Sequence, residues 1–301
     1  MSWKIVAHGS KEVIQSALVA HEDALDWDYE VVLTGSEIAE DKPDDWVLEA
    51  YYPRRPTKAD KTALAALFEG LPPAMRAEKL PDEDWVSLSQ ANVTPIRAGR
   101  FHVHTPDFPA YDSAGVTDFC IPTSQAFGTG QHETTAGCLA MLTQMKAEGV
   151  AVRNYADIGT GTGLLAFAAR DLWPTAHGLA SDIDPVCTGV VEDNSAANGV
   201  PLGDGPGRLV MTVAAGTDNP LIAARAPYDL LIANIFAGPL VDLAPDFARA
   251  VLPGGHLVLA GLLTTQEPAV RAAHFRAGFR LARRMTNGDW SILWLRRRNA
   301  R

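Results

Sequence analysis

Ala156-Asp-Ile-Gly-Thr-Gly-Thr-Gly-Leu164 is the stretch whose reading decides the fold. Apolar residues lead into it, and a helix predicted over Leu164 to Leu172 leads out. Gly159, Gly161 and Gly163 permit a tight turn, and with no Cβ in the way a ligand can approach their backbone closely. The next strand-like run, Ala176 to Ile183, delivers Asp182 about twenty residues after the glycines, where an acid can accept hydrogen bonds from a ribose diol. These residues predict a nucleoside-binding βαβ unit. A dinucleotide fingerprint would place a glycine one position after Gly163, where Leu164 stands. The G-x-G-x-G spacing therefore fits an adenosyl ligand with an amino-acid tail better than a pyrophosphate.

Working outward, strand and helix alternate regularly from Val152 onward. Strands are predicted at Asn154–Ile158, His177–Asp182, Arg208–Val213, Asp229–Ile235 and His256–Gly261. Helices are predicted at Leu164–Leu172, Pro185–Asn198, Leu240–Val251 and Glu267–Ala277, the second capped by Asp184 with Pro185 at its first position. Asn198-Gly199 and Pro253-Gly254-Gly255 read as turns. Short apolar strands separated by helices demand a parallel sheet covered on both faces. Asn287-Gly288, between Phe279–Arg284 and Trp290–Trp294, predicts a closing hairpin.

Upstream, Trp3–Ala7, Tyr29–Leu33 and Trp46–Tyr52 read as strands, with Thr34-Gly35 as a break. Lys11–Asp23 and Thr57–Phe68 read as helices, the second capped by Thr57 with Asp60 three places on and stopped by Gly70. The order βαββα predicts a small α+β module over residues 1–70; a partly helical linker over 71–95 and a larger α/β domain over 96–301 are expected to follow. Phe101–His104 and Val116–Ile121 are short strands. His102 and His104 alternate with apolar residues, which predicts an exposed strand face rather than a metal pair.

The 301 residues are 47% hydrophobic and 21% charged, an ordinary globular composition long enough for one large core and a smaller one. No apolar run reaches membrane-spanning length, and no signal pattern opens the chain. Cys120, Cys138 and Cys187 lie far apart, so buried free thiols, no metal site and a reducing cytoplasm are expected. Of the net charge of −10, residues 1–85 carry nine basic against eighteen acidic side chains, and the remainder seventeen against eighteen. Such an acidic module suits a solubilising surface or a basic protein partner, and argues against DNA or RNA as its main ligand; with no spanning run, no membrane contact is expected either.

Ligands of open α/β sheets sit beyond the carboxyl ends of the strands. Gly159–Gly163, Asp182, Ala214–Gly216 and Asn234 should converge there. Asn234, just past an apolar strand, offers a carboxamide oxygen to a substrate N–H or serves as a turn asparagine. Phe236 lines the substrate channel or belongs to the core. The loop Ala126-Phe-Gly-Thr-Gly-Gln-His-Glu-Thr-Thr135 precedes a helix with Cys138, Leu139, Leu142 and Met145 on one face. Thr134 and Thr135 at that helix's start could hold a carboxylate or merely cap. His132 is a candidate base or ligand.

Six motifs in this order and spacing resemble the PrmA-type family of S-adenosylmethionine-dependent methyltransferases. They are Ala126–Thr135, Asp157–Gly163, Asp182-Ile-Asp-Pro185, Asn194–Val200, Asn234-Ile-Phe-Ala-Gly-Pro239 and Pro253-Gly-Gly255. Pro81-Asp-Glu-Asp-Trp85 and Gly288-Asp-Trp290 extend the resemblance over nearly the whole chain. Ile121-Pro-Thr-Ser-Gln125 departs from the Asp/Glu-Pro-Gly common before the loop. The resemblance implies a class I methyltransferase with a Rossmann-like, seven-stranded, mostly parallel sheet and a ferredoxin-like N-terminal domain. It implies methylation of lysine and/or N-terminal amines of large-subunit ribosomal protein eleven, with S-adenosylhomocysteine as product; separately, a monomer is expected. Its cofactor contacts fall on Thr135 (methionine carboxylate), Gly159 (beneath the ligand), Asp182 (ribose) and Asn234 (facing cofactor and amine). Phe127, Gly128, Thr129, Gly130, Gly161 and Gly163 complete the expected cofactor site, and Asn234 and His132 are the candidate catalytic residues.

Competing readings are a methyltransferase of another protein or a small molecule, a nicotinamide oxidoreductase, and an adenosyl-binding interaction protein without turnover. Leu164 counts against the oxidoreductase. Asn234-Ile-Phe-Ala, where nucleic-acid amine methyltransferases carry Asn/Asp-Pro-Pro-aromatic, counts against a nucleic-acid substrate.

Overall fold

The computed structural model describes residues 3–22, 24, 27, 31–38, 44–79, 94–122 and 131–299. The chain divides into two compact units, residues 1–85 and 86–301.

In the first unit, β1 (Trp3–Ser10), β2 (Val32–Glu37), β3 (Asp45–Tyr52) and β4 (Met75–Lys79) form one sheet in the order β2-β3-β1-β4. All neighbours are antiparallel. Helices α1 (Lys11–Glu22) and α2 (Lys58–Ala65) complete a βαββαβ order, with Ile5, Ala7, Ile14, Leu48, Ala50 and Leu64 in the core. Two expectations are corrected. Met75–Lys79 pairs with β1, so the sheet runs past residue 70 into the stretch read as a partly helical linker. Thr34 and Gly35 lie inside β2 rather than at a break. Gly35 packs closely against α1: a Cβ there would come 2.7 Å from Leu18 Cδ1, which would have to shift. The Thr57 cap forms as a capping box: the Asp60 amide donates to Thr57 Oγ1 and the Thr57 amide to Asp60 Oδ2. The helix read at Asp82–Asn92 lies outside the described residues.

The second unit begins with β5 (Ile96–Ala98), β6 (Phe101–His104) and β7 (Thr117–Cys120) in a three-stranded sheet. Next come α3 (Gln131–Ala147), β8 (Asn154–Ile158), α4 (Leu164–Leu172), β9 (His177–Asp182), α5 (Val186–Ala197) and β10 (Leu209–Val213). The chain continues through α6 (Pro220–Arg225), β11 (Tyr228–Asn234), α7 (Ala237–Asp242), α8 (Ala244–Ala250) and β12 (Val251–Leu263), and ends in α9 (Glu267–Arg276), β13 (Phe279–Asn287) and β14 (Trp290–Arg297). The large sheet has the order β10-β9-β8-β11-β12-β14-β13. β8 to β12 are parallel, and β14 runs antiparallel to both neighbours. Strand order reverses between β8 and β11, the switch point where such sheets bind ligands.

Both faces are covered, as continuous apolar strands require. Tyr155, Ile232, Val258 and Trp294 pack with α3 and α4 on one face. Ala156, Ile158, Leu231, Ala233, Leu257 and Leu259 share the other with Phe247 and Val270. On the far edge, burial opposes the Glu267 charge, but hydrogen bonds from Ser291 (2.7 Å), Arg284 (2.6 Å) and Arg271 (3.2 Å) hold its carboxyl below the usual range and tie α9 to the closing hairpin.

Two boundaries differ from the sequence reading. The single helix expected at Leu240–Val251 is two, because Pro245 cannot donate an amide within a continuous helix and instead sits in the first turn of α8. Pro253-Gly254-Gly255 lies within β12 as an irregularity rather than ending it: the pairing shifts from Tyr228↔Val251 to Leu230↔His256. No described helix is long and apolar enough to cross a membrane.

Candidate active site

The glycine turn leaves β8 at Ile158 and enters α4 at Leu164. Gly159, Gly161 and Gly163 take φ values of +73°, +54° and +86°, the left-handed region closed to most side chains. A Cβ on Gly159 would stand 2.2 Å from Ile235 Cγ2. The Gly159 and Thr160 amides both donate to Ser181 O of β9, at 2.8 and 2.9 Å. The Asn194 side-chain Nδ2 donates to Thr162 O at 2.9 Å, so α5 holds the turn from beyond.

Asp182 ends β9 as the sequence predicted. Its Oδ2 accepts from the Gly161 amide at 2.8 Å and its Oδ1 from the Asp184 amide at 3.1 Å. A carboxylate oxygen can accept more than one donor, so both retain capacity for a diol. Asp184 caps α5 by accepting from the Val186 amide at 2.9 Å.

Asn234 ends β11, opposite Ala260 of β12. Its Nδ2 points to Thr135 Oγ1 at 3.5 Å, bringing together two side chains 99 residues apart. With the NH2 group directed there, the carboxamide oxygen is left to accept. Just beyond, Gly261 lets the backbone after Asn234 pass close to β12: a Cβ on it would lie 2.3 Å from Ile235 O. Phe236 is 58% exposed at the strand tip, which excludes the core reading.

Thr134 and Thr135 are buried in the first turns of α3, inside the helix rather than at its cap. Their depth is set by Gly137, where a Cβ would stand 2.3 Å from Cδ1 of the fully buried Ile292. Gly137→Ala is expected to lift α3 off the sheet, costing about 1–3 kcal/mol, or about 2–4 °C in Tm per kcal/mol. An unchanged melting curve would show that the helix does not depend on this contact. His132 belongs to α3, but its side chain, like residues Phe127, Gly128, Thr129 and Gly130, lies outside the described set.

The histidine pair requires a correction. His102 and His104 are buried, not on an exposed face. Asp118 on the adjacent strand explains why. Its Oδ1 lies 2.5 Å from His102 Nδ1, and its Oδ2 lies 3.0 Å from His104 Nε2. Burial works against the Asp118 charge, yet hydrogen bonds from His102, the Tyr111 amide and His104 outweigh it and hold its carboxyl below the usual carboxylate range. Among the described residues no group of three or more His, Cys, Asp or Glu is arranged to hold a metal. Cys138 and Cys187 are buried as expected, but Cys120 is only half-buried. Its backbone is clasped by the Asn198 side chain through two 2.8 Å hydrogen bonds.

One acid of the glycine motif was missed in the sequence. Asp157 is 1% exposed directly beneath the turn. Its Oδ2 accepts from Thr160 Oγ1 at 2.6 Å and from the Ala166 amide at 3.1 Å. Burial, with the Asp182 carboxylate adding to it, pushes the Asp157 carboxyl up to about 7 against those two hydrogen bonds. An acid ending an apolar strand just before the glycines was the available signal. A separate cleft lined by Pro268, Arg271, Phe275 and Leu281 involves α9 and the edge hairpin and includes none of these strand-tip groups.

A doubly wound sheet with a reversed hairpin at its edge, a three-glycine turn at the switch point and an acid ending the next strand defines a class I methyltransferase fold. Residues 2–298 match the family described as "Ribosomal protein L11 methyltransferase (PrmA)". A protein of that name from Sinorhizobium fredii is 41% identical over 78% of this chain and 79% of its own length. One from Rhizobium rhizogenes is 36% identical over 90% of each. A crystal structure of a ribosomal protein L11 methylase from Lactobacillus delbrueckii subsp. bulgaricus superposes with a TM-score of 0.56 at 26% identity, covering 69% of this chain and all of that one. The chain belongs to the ribosomal protein L11 methyltransferase family.

Proposed function

We propose that this chain transfers methyl groups from S-adenosylmethionine to amines of large-subunit ribosomal protein eleven, on lysine side chains and/or the N-terminal α-amine. The observation that carries the reading is the convergence of the Gly159 turn, Asp182, Asn234 and Thr135 at one end of the parallel strands. The fit to the cofactor is local and chemical. The glycine backbone is bare on a tight turn, an acid able to bind a diol follows it, and the Thr135 hydroxyl, beside Asn234, can donate to a carboxylate.

Thr135, with the Phe127–Gly130 loop, would hold the methionine end; Gly159, Gly161 and Gly163 would pass beneath the ligand, and Asp182 would take the ribose hydroxyls. S-adenosylmethionine, when bound, supplies an already activated sulfonium methyl. The protein's remaining task is to hold a neutral amine in line with it. A lysine amine titrates near about 10.4 and an α-amine near about 7.7–8, so the amine must shed a proton, which burial and a neighbouring positive charge both favour. Asn234, its Nδ2 turned to Thr135, presents its oxygen to accept an amine N–H and aim the lone pair. No base is assigned. The acidic first unit, with nine basic against eighteen acidic side chains over residues 1–85, suits docking of a basic ribosomal protein in the cytoplasm.

Incubation with methyl-labelled S-adenosylmethionine and the purified ribosomal protein is expected to label that protein, with mass increments of whole methyl groups on its amines. Cofactor binding with no transfer to the protein would favour another substrate or an adenosyl-binding interaction protein.

A further inference from the structure

Asp157 is a buried acid that neither the substrate nor the ribose is expected to touch. Its Oδ1 finds no hydrogen-bond partner among the described residues, while Oδ2 is shared by the Thr160 hydroxyl and the first turn of α4. It stands at the centre of the sheet, opposite Ala180 of β9 and Ile232 of β11, two residues before Gly159. The ionisable groups around it are Asp182 at the tip of β9, Tyr155 on its own strand and Cys138 on α3. Burial holds the Tyr155 hydroxyl and the Cys138 thiol far above their ordinary ranges, so both stay neutral at working pH.

Two opposing influences thus meet on one carboxyl. Two donors on Oδ2 favour the charged form. Full burial and the Asp182 carboxylate favour the neutral form. A cation laid over the turn tips this balance toward the carboxylate; a neutral ligand does not. The two adenosyl ligands of the proposed reaction differ in that respect, one bearing a sulfonium and the other an uncharged thioether.

Building on the proposed function, we propose that Asp157 is the residue by which the cleft tells the cationic cofactor from its neutral demethylated product. It ionises with the first and takes a proton back with the second. The methyl donor is thereby held and the spent product released, without any direct contact from this side chain.

Isothermal titration calorimetry of the full chain tests this with S-adenosylmethionine and S-adenosylhomocysteine between about pH 5 and 8, an interval that brackets the titration with and without the cation. The preference for the cation should rise about tenfold over that interval, the shift produced by moving one titration by a single pH unit. The ligand's own α-amine also titrates toward the top of this range, so Asp157→Asn, which keeps the shape and an accepting oxygen, is the reference. Its preference should follow the ligand alone and lack the tenfold rise. The wild-type chain gives a second readout that needs no variant. In two buffers of different ionisation heat at pH 6.5, the cation should release about half a proton on binding and the thioether close to none. Equal proton release for both ligands, or the same pH trend in Asp157→Asn as in the wild type, would overturn the inference while leaving the proposed function standing. Failure of both ligands to bind would overturn both.

Discussion

Asn234→Ala is expected to lower the rate of methyl transfer about 100- to 1000-fold, the loss seen when one preorganised polar partner of a reacting group is removed. Its effect on S-adenosylhomocysteine affinity should stay within about tenfold, since one neutral hydrogen bond contributes about 0.5–1.5 kcal/mol. The split follows from the geometry. Asn234 is placed by the end of β11, and its Nδ2 lies 3.5 Å from Thr135 Oγ1, which leaves its oxygen to accept an amine N–H. Single-turnover kinetics beside calorimetry separate the two quantities. A variant that binds normally and transfers at the wild-type rate would show that the amine is oriented by something else.

Asp182→Ala should act on binding instead. The charge-assisted hydrogen bonds to the ribose are lost, costing about 1.5–3 kcal/mol, or roughly 10- to 150-fold in affinity for S-adenosylhomocysteine. A further loss is built into the fold, because the same carboxylate receives the Gly161 amide at 2.8 Å and so shapes the turn on which the ligand rests. Asp182→Asn retains an acceptor and should lie between the two. Unchanged calorimetric affinity in the alanine variant would place the ribose elsewhere.

Much of this architecture is legible in local chemistry. Three glycines must adopt left-handed backbone, and all three do. The Asp184-Pro185 pair opens α5, and Asn287-Gly288 marks the turn between β13 and β14, with Gly288 at φ +56°. These features are decided within a few residues, so the chain displays them directly. The corrections involve partners distant in sequence. His102 and His104 alternate as an exposed strand face would. They are buried because Asp118, supplied by a neighbouring parallel strand, satisfies both rings. Met75–Lys79 carries charges at three of five positions and reads as linker, yet it borders β1 as an edge strand, where one face can remain in solvent. Asp157 is marked in the sequence only as an acid near the end of an apolar strand before the glycines; its significance comes from burial and the proximity of Asp182, which periodicity does not encode. Gly137 and Gly261 let α3 and β12 approach Ile292 and the Ile235 backbone closely, and they reveal that purpose only through what a methyl group would strike.

The most direct test of the central claim is a crystal structure with S-adenosylhomocysteine bound. The account predicts density lying across the tips of β8, β9 and β11, the ribose hydroxyls on Asp182, the amino-acid carboxylate at Thr135, and the sulfur facing Asn234. Density in any other cleft, or a ribose that leaves Asp182 untouched, would contradict it.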